Sequence, residues 1–101
     1  MVIKQIKDEL AQAKHPVAKS LHHNNAFRVL VIGFNKDMIM LSHTAKWPSK
    51  LTVLEGAVTY MEEKGNTVLR QYDEFDIPVG ITHSVEATED SLCLLTQSEK
   101  L

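Results

Sequence analysis

The chain has little cysteine, little proline and glycine, no long apolar run and no excess of one charge. A single cysteine, Cys93, cannot close an internal disulfide, which points to a reducing, cytoplasmic setting. Three prolines and four glycines in 101 residues do not gather into a linker or low-complexity segment, and no internal repeat is visible. Eleven Lys and Arg stand against thirteen Asp and Glu, interspersed, for a formal charge of -2. Without a basic stripe to neutralise phosphates, nucleic acid is excluded as a partner. Apolar runs such as Val29-Leu30-Val31-Ile32 are strand-length, far below the roughly 20 residues of a membrane span. Lys4, Lys7, Asp8 and Glu9 interrupt the N-terminus where a signal peptide would be apolar, so no membrane partner is expected either. The sequence also lacks a glycine-rich phosphate loop, a Cys-x-x-Cys pair, a His-Glu-x-x-His helix motif and a Gly-x-Ser-x-Gly turn.

What is present reads as one all-β domain over residues 1–101. The 44% hydrophobic content supports a real but modest core, to which pairing with a second copy would add. Ile3, Ile6 and Leu10 recur at helical spacing with charged residues between them, predicting a short helix within the segment 1–16 that ends before Pro16. From Val17 to about residue 97 the pattern becomes short runs of Val, Ile, Leu, Thr and aromatics, broken every eight to twelve residues or so. The predicted strands are 17–22, 26–34, 37–43, 51–55, 57–62, 67–72, 75–77, 83–87 and 91–97, with turn chemistry at Asn24-Asn25, Asn35-Lys36-Asp37, Gly65-Asn66 and Glu89-Asp90. Phe27 to Phe34 is apolar on both alternating faces apart from Arg28, so this strand needs cover twice. One interior covers one face. A two-fold partner would cover the other, with Ile3, Ile6 and Leu10 as a partial substitute, and a homodimer is therefore expected.

Two stretches carry the chemistry. In Pro78-Val79-Gly80-Ile81-Thr82-His83, proline fixes the backbone before a turn and glycine permits the conformation after it, so His83 is aimed in a reproducible direction. Upstream, Gly56 closes the strand Val53-Leu54-Glu55, with His43 before it. Together these resemble the two motifs of the cupin superfamily over roughly residues 38 to 97. Of the first motif, His43 and Gly56 match, whereas Ala45 stands at the second histidine and Ser49 at the glutamate. Of the second, Pro78, Gly80 and His83 match, whereas Tyr72 replaces the leading glycine and Ala87 the asparagine. The resemblance implies a cupin-type double-stranded β-barrel, or jelly roll. It also implies that His43 and His83 point inward from neighbouring strands, as two of the family's four metal ligands.

Two imidazoles alone make an incomplete site for Fe, Mn, Ni, Cu or Zn, since stable sites use three or more protein ligands or a 2-His-1-carboxylate triad. Strand parity turns Glu86 away if His83 faces in, and Glu55 lies at the far end of its strand. His22 and His23, adjacent on a strand, must send one ring to each face, which leaves open which of them approaches the interior. The leading expectation is a barrel that binds a small molecule, with a pocket lined by Met40, Leu51, Val53 and His83, its mouth at Trp47, and a divalent metal held weakly at His43 and His83. The alternatives are a metal-dependent enzyme of dioxygenase, isomerase or decarboxylase type, which needs a third ligand, and a structural or regulatory dimer with a filled barrel. Cys93, Met38 and Met61 read as core or lining residues, and Glu62-Glu63-Lys64 as a solvated hairpin end.

Overall fold

A computed structural model describes residues 1–99, with the backbone alone at Ser42 and His43. Helix α1 (Val2–Leu10) leads into β1 (Val17–His23), β2 (Phe27–Phe34), β3 (Ile39–Thr44), β4 (Ser49–Glu55), β5 (Ala57–Glu62), β6 (Gly65–Arg70), β7 (Glu74–Ile77), β8 (Thr82–Ala87) and β9 (Ser91–Ser98). The strands form two antiparallel sheets, one ordered β1-β2-β9-β4-β7 and the other β3-β8-β5-β6. Every strand expected from the sequence is present, with ends shifted by about two residues. The largest shift is at β6, which starts at Gly65 because Glu63-Lys64 alone make the hairpin turn and Gly65 already pairs with Glu62.

The inward rows of the two sheets interdigitate. Ile32 and Phe34 of β2, Leu51 and Val53 of β4, Val58 and Tyr60 of β5, Val85 and Ala87 of β8, and Cys93 and Leu95 of β9 meet in one buried cluster. Strand periodicity alternates these with outward neighbours, as in the buried positions His83, Val85 and Ala87 of β8, between which Ser84 and Glu86 are more exposed. Glu86 thus faces away, as parity requires.

The second face of β2 finds its cover within the chain. Ile6 of α1 is fully buried against Val31 and Leu92, with Leu10, Val17 and Leu94 around them. Gly33 makes this close approach available: a Cβ there would fall against Ile6 Cγ2 and within 2.8 Å of Leu10 Cδ1. Lys7 reaches across to Glu55 at 2.9 Å, and Asn35 donates to the Leu10 carbonyl at 2.7 Å, so the last turn of the helix is tied down. The expected helix therefore does more than partly shield the sheet, because it fills the site for which a partner subunit was expected.

Two turns fix the connections. Gly56 has φ +82° and lies against the Asp90 carbonyl, where a side chain would collide, so the β4–β5 corner depends on glycine. Tyr72 also takes a left-handed conformation, at φ +71°, in the turn where its N–H donates to the Val53 carbonyl at 2.7 Å. This is the position at which the resembling family has glycine, and the backbone geometry persists although the residue has changed.

Candidate functional site

One end of the barrel carries a polar layer built by register. His23, Arg28, Gln97 and Ser49 are successive cross-strand partners across β1, β2, β9 and β4. Arg28 shares parity with Leu30 and Ile32, Gln97 with Cys93 and Leu95, and Ser49 with Leu51 and Val53. The row is thus the outermost layer of the inward face. His23 joins it through a register shift between Ser20 and His22, which leaves Leu21 unpaired and reverses parity beyond it. His22 is correspondingly turned to the other side, its ring stacked on Phe27 with centroids 5.2 Å apart.

Hydrogen bonds lock the row. Arg28 Nε donates to Gln97 Oε1 at 2.7 Å, Gln97 Nε2 to Ser49 Oγ at 3.0 Å, and Ser49 Oγ to the Trp47 carbonyl at 3.0 Å. Beneath lies an apolar layer in which Leu30 faces Leu95 and Leu95 faces Leu51. A cavity of about 560 Å³ opens over these layers, floored by Leu30, Ile32, Met40 and Leu95 and flanked by Trp47. Its polar lining comes from His23, Arg28, Gln97, Thr44 and Lys46, and no carboxylate among the described residues lines it. Among the described residues neither Arg28 nor Lys46 forms an ion pair.

A second cavity, of about 530 Å³, lies beside β5 and β8, where His83, Glu62 and Glu63 line it with Gly80 and Thr82. Thr44 and Thr82, one from each cavity, have hydroxyls 3.2 Å apart. The turn that delivers His83 is pinned by Gly80, whose N–H donates to the Ala45 carbonyl at 3.0 Å. His83 is buried at 2% exposure. Its Nδ1 lies 3.1 Å from the Ile81 carbonyl, which can only accept, so Nδ1 carries a proton and donates it there. The Tyr60 ring stacks on His83, and the Tyr60 hydroxyl donates to Glu62 Oε2 at 3.1 Å. Burial, followed by the bond to Glu62 and its charge, pushes the Tyr60 phenol up to about 12.

The expected site residues are distributed among these features. Met40 and Trp47 line the first cavity and His83 the second. Leu51 and Val53 point inward but lie packed in the core at 3% and 0% exposure, lining neither cavity. His43 is the direct ladder partner of His83, and its side chain lies outside the described residues. Of the pair His22 and His23, between which the sequence reading left the choice open, it is His23 that reaches the cavity, and Arg28, Lys46 and Gln97 were missed.

No ligand set for a transition metal is assembled among the described residues, the His43 side chain lying outside them. The position of the family's second histidine is Ala45, buried and apolar, and that of its glutamate is Ser49, whose hydroxyl is committed to Trp47 and Gln97. Among the described residues no three His, Cys, Asp or Glu side chains converge. His43 and His83 together would supply two ligands where a stable site uses three or more.

The architecture is that of a double-stranded antiparallel barrel with its cavities at one end. No protein-family model matches the sequence, and no curated protein matches it. Solved structures do match. A cupin superfamily protein from Desulfitobacterium hafniense superimposes with TM-score 0.79 at 10% identity, over 86% of this chain and 80% of that one. An RmlC-like cupin from Desulfovibrio desulfuricans gives 0.78 at 18% identity, over 85% and 84%. KdgF from a Halomonas species gives 0.76 at 21%, over 87% and 83%. The chain has the cupin fold, as one small barrel domain.

Proposed function

We propose that this barrel binds a small organic molecule in the cavity between Met40, Trp47 and the inward row of β2. The observation that carries the reading is the cavity's build: an apolar floor with a few converging polar groups, and a volume of about 560 Å³. Small-molecule sites commonly have this build and range over about 300–1,000 Å³. A metal-dependent reaction has no complete ligand set among the described residues to support it, and a purely structural barrel would be filled at this end. Two further expectations belong to the same reading. The chain works in a reducing, cytoplasmic setting, in keeping with its buried free Cys93. It also forms a homodimer, for which the edge strands β1 and β3, carrying exposed Leu21 and Leu41, offer the surface.

Trp47 is the single tryptophan and flanks the cavity, so its fluorescence reports occupancy. Titration with neutral apolar probes, benzyl alcohol and 1-hexanol among a wider panel, is expected to give a saturable change for at least one member. Ala18→Phe, which fills the cavity from β1, should abolish that change. A linear response from every member in both proteins would overturn the reading.

A further inference from the structure

We propose that the ligand is an organic acid: a carboxylate seated on Arg28, with an apolar body lying on Leu30, Ile32, Met40 and Leu95. The inference rests on the small-molecule reading above and specifies its ligand class.

Arg28 is the anomaly of its strand. Every other side chain of β2 is apolar on whichever face it occupies, and Arg28 stands on the inward row, one step above Leu30. Arg28 is exposed at this rim, where its guanidinium can be reached by an anion, and the described residues supply none: no Asp or Glu among them lines the cavity, and Arg28 forms no ion pair with any of them. What the protein supplies is orientation. Gln97 accepts from Nε, Ser49 holds Gln97, and the Trp47 carbonyl holds Ser49, so the guanidinium plane is fixed. With Nε engaged, the two terminal Nη groups remain as a parallel pair of donors. That fork matches the two oxygens of a carboxylate.

The neighbours have the same sense. His23 is the ladder partner of Arg28 and brings ring nitrogens to the same rim, and Lys46 adds a cation from the β3–β4 loop. Basic groups on a low-dielectric wall focus an attractive potential for anions into the cavity. Directly below this rim the described lining residues Leu30, Ile32, Met40 and Leu95 are apolar, which disfavours a second charge. The complementary ligand is thus polar at one end only, and Gln97 acts as a positioning residue for the group that holds it.

Benzoate and hexanoate serve as acid probes, with benzyl alcohol and 1-hexanol as their neutral counterparts, in amide-resolved NMR titrations of the full chain. The acids are expected to bind about ten- to a hundredfold more tightly than the alcohols, the increment of charge-assisted hydrogen bonds. Arg28→Met should erase that difference. Gln97→Glu, which places a carboxylate against the guanidinium, should weaken benzoate at least about tenfold more than benzyl alcohol. Glu keeps the size of Gln97 but loses its donor to Ser49 Oγ, and retained amide dispersion in both variants shows that the fold is kept. Acids and alcohols binding alike, with both variants silent, would overturn the acid inference and leave the small-molecule reading standing. Phenyl phosphate binding more tightly than benzoate would overturn the carboxylate assignment, and shifts from no probe at all would overturn both readings.

Discussion

The Tyr60 and His83 rings lie stacked inside the barrel, centroids 5.1 Å apart and planes inclined by 28°. The arrangement joins β5 to β8 on the inward side, and the Tyr60 hydroxyl extends it to Glu62. Because the phenol is raised from 10.0 to about 12, the folded state resists its ionisation. The stability tied to Tyr60 is fully present below pH 10 and is lost as pH rises through about 12, since the unfolded chain releases the proton first. Denaturant unfolding between pH 10 and pH 12 should therefore show a steeper loss for the wild type than for Tyr60→Phe. Cys93, also raised to about 12 by burial, contributes equally to both proteins and cancels in the comparison. Parallel slopes would place the phenol in water.

Metal content gives a second prediction. Tag-free protein exposed to Fe, Mn, Ni, Cu or Zn and then desalted should retain no stoichiometric metal by elemental analysis. Retention of one equivalent that disappears in His43→Ala would make the metal-dependent enzyme, so far the alternative, the leading reading.

Ile6 carries the packing of α1. Replacing it with alanine removes a fully buried side chain from the Val31–Leu92 face and should cost about 2–5 kcal/mol, read as a lower denaturation midpoint with the slope retained. A loss below about 0.5 kcal/mol, the size of an ordinary surface change, would mean that the helix is not seated there.

Light scattering at rising micromolar concentration tests association. The homodimer proposed through the edge strands should give twice the 11.4 kDa chain mass, and Leu21→Lys or Leu41→Lys should return it to one chain mass. A single-chain mass at every concentration would remove the dimer.

Tyr72 predicts a gain. Its left-handed φ of +71° costs an L-residue about 1–2 kcal/mol, and its side chain is 75% exposed, so little packing is lost with it. Tyr72→Gly should raise stability by up to about 1 kcal/mol after the glycine's extra chain entropy is subtracted. An unchanged or lowered midpoint would show that the ring contributes more than its exposure suggests.

The strands were legible because their boundaries are chemical. Asn24 closes its turn by accepting from Ala26 and Phe27, and Gly56 and Gly80 take positive φ where the sequence demands a corner. The inward direction of His83 followed from the resemblance to the cupin motifs, and parity then turned Glu86 away. The depth of a residue along the barrel followed from neither, and Leu51 and Val53, correctly inward, lie below the cavity rather than in it. The polar rim was hidden because it is made by pairing: Arg28 meets Gln97 across 69 positions of chain, and Gln97 meets Ser49 across 48. The unpaired Leu21, which selects His23 over His22, is likewise a property of the ladder. The one visible clue was Arg28 itself, interrupting a strand otherwise apolar on both faces.

The rim draws its members from strands far apart in sequence, with His23 in β1, Arg28 in β2 and Gln97 in β9. No fragment shorter than residues 23–97 can assemble it, and a ribosome must release β9 before the proposed anion seat exists. Occupancy is thus a property of the completed fold. A ligand would bind only the closed barrel and shift the folding equilibrium by mass action, so thermal protection by an added acid would count intact molecules as well as measure affinity.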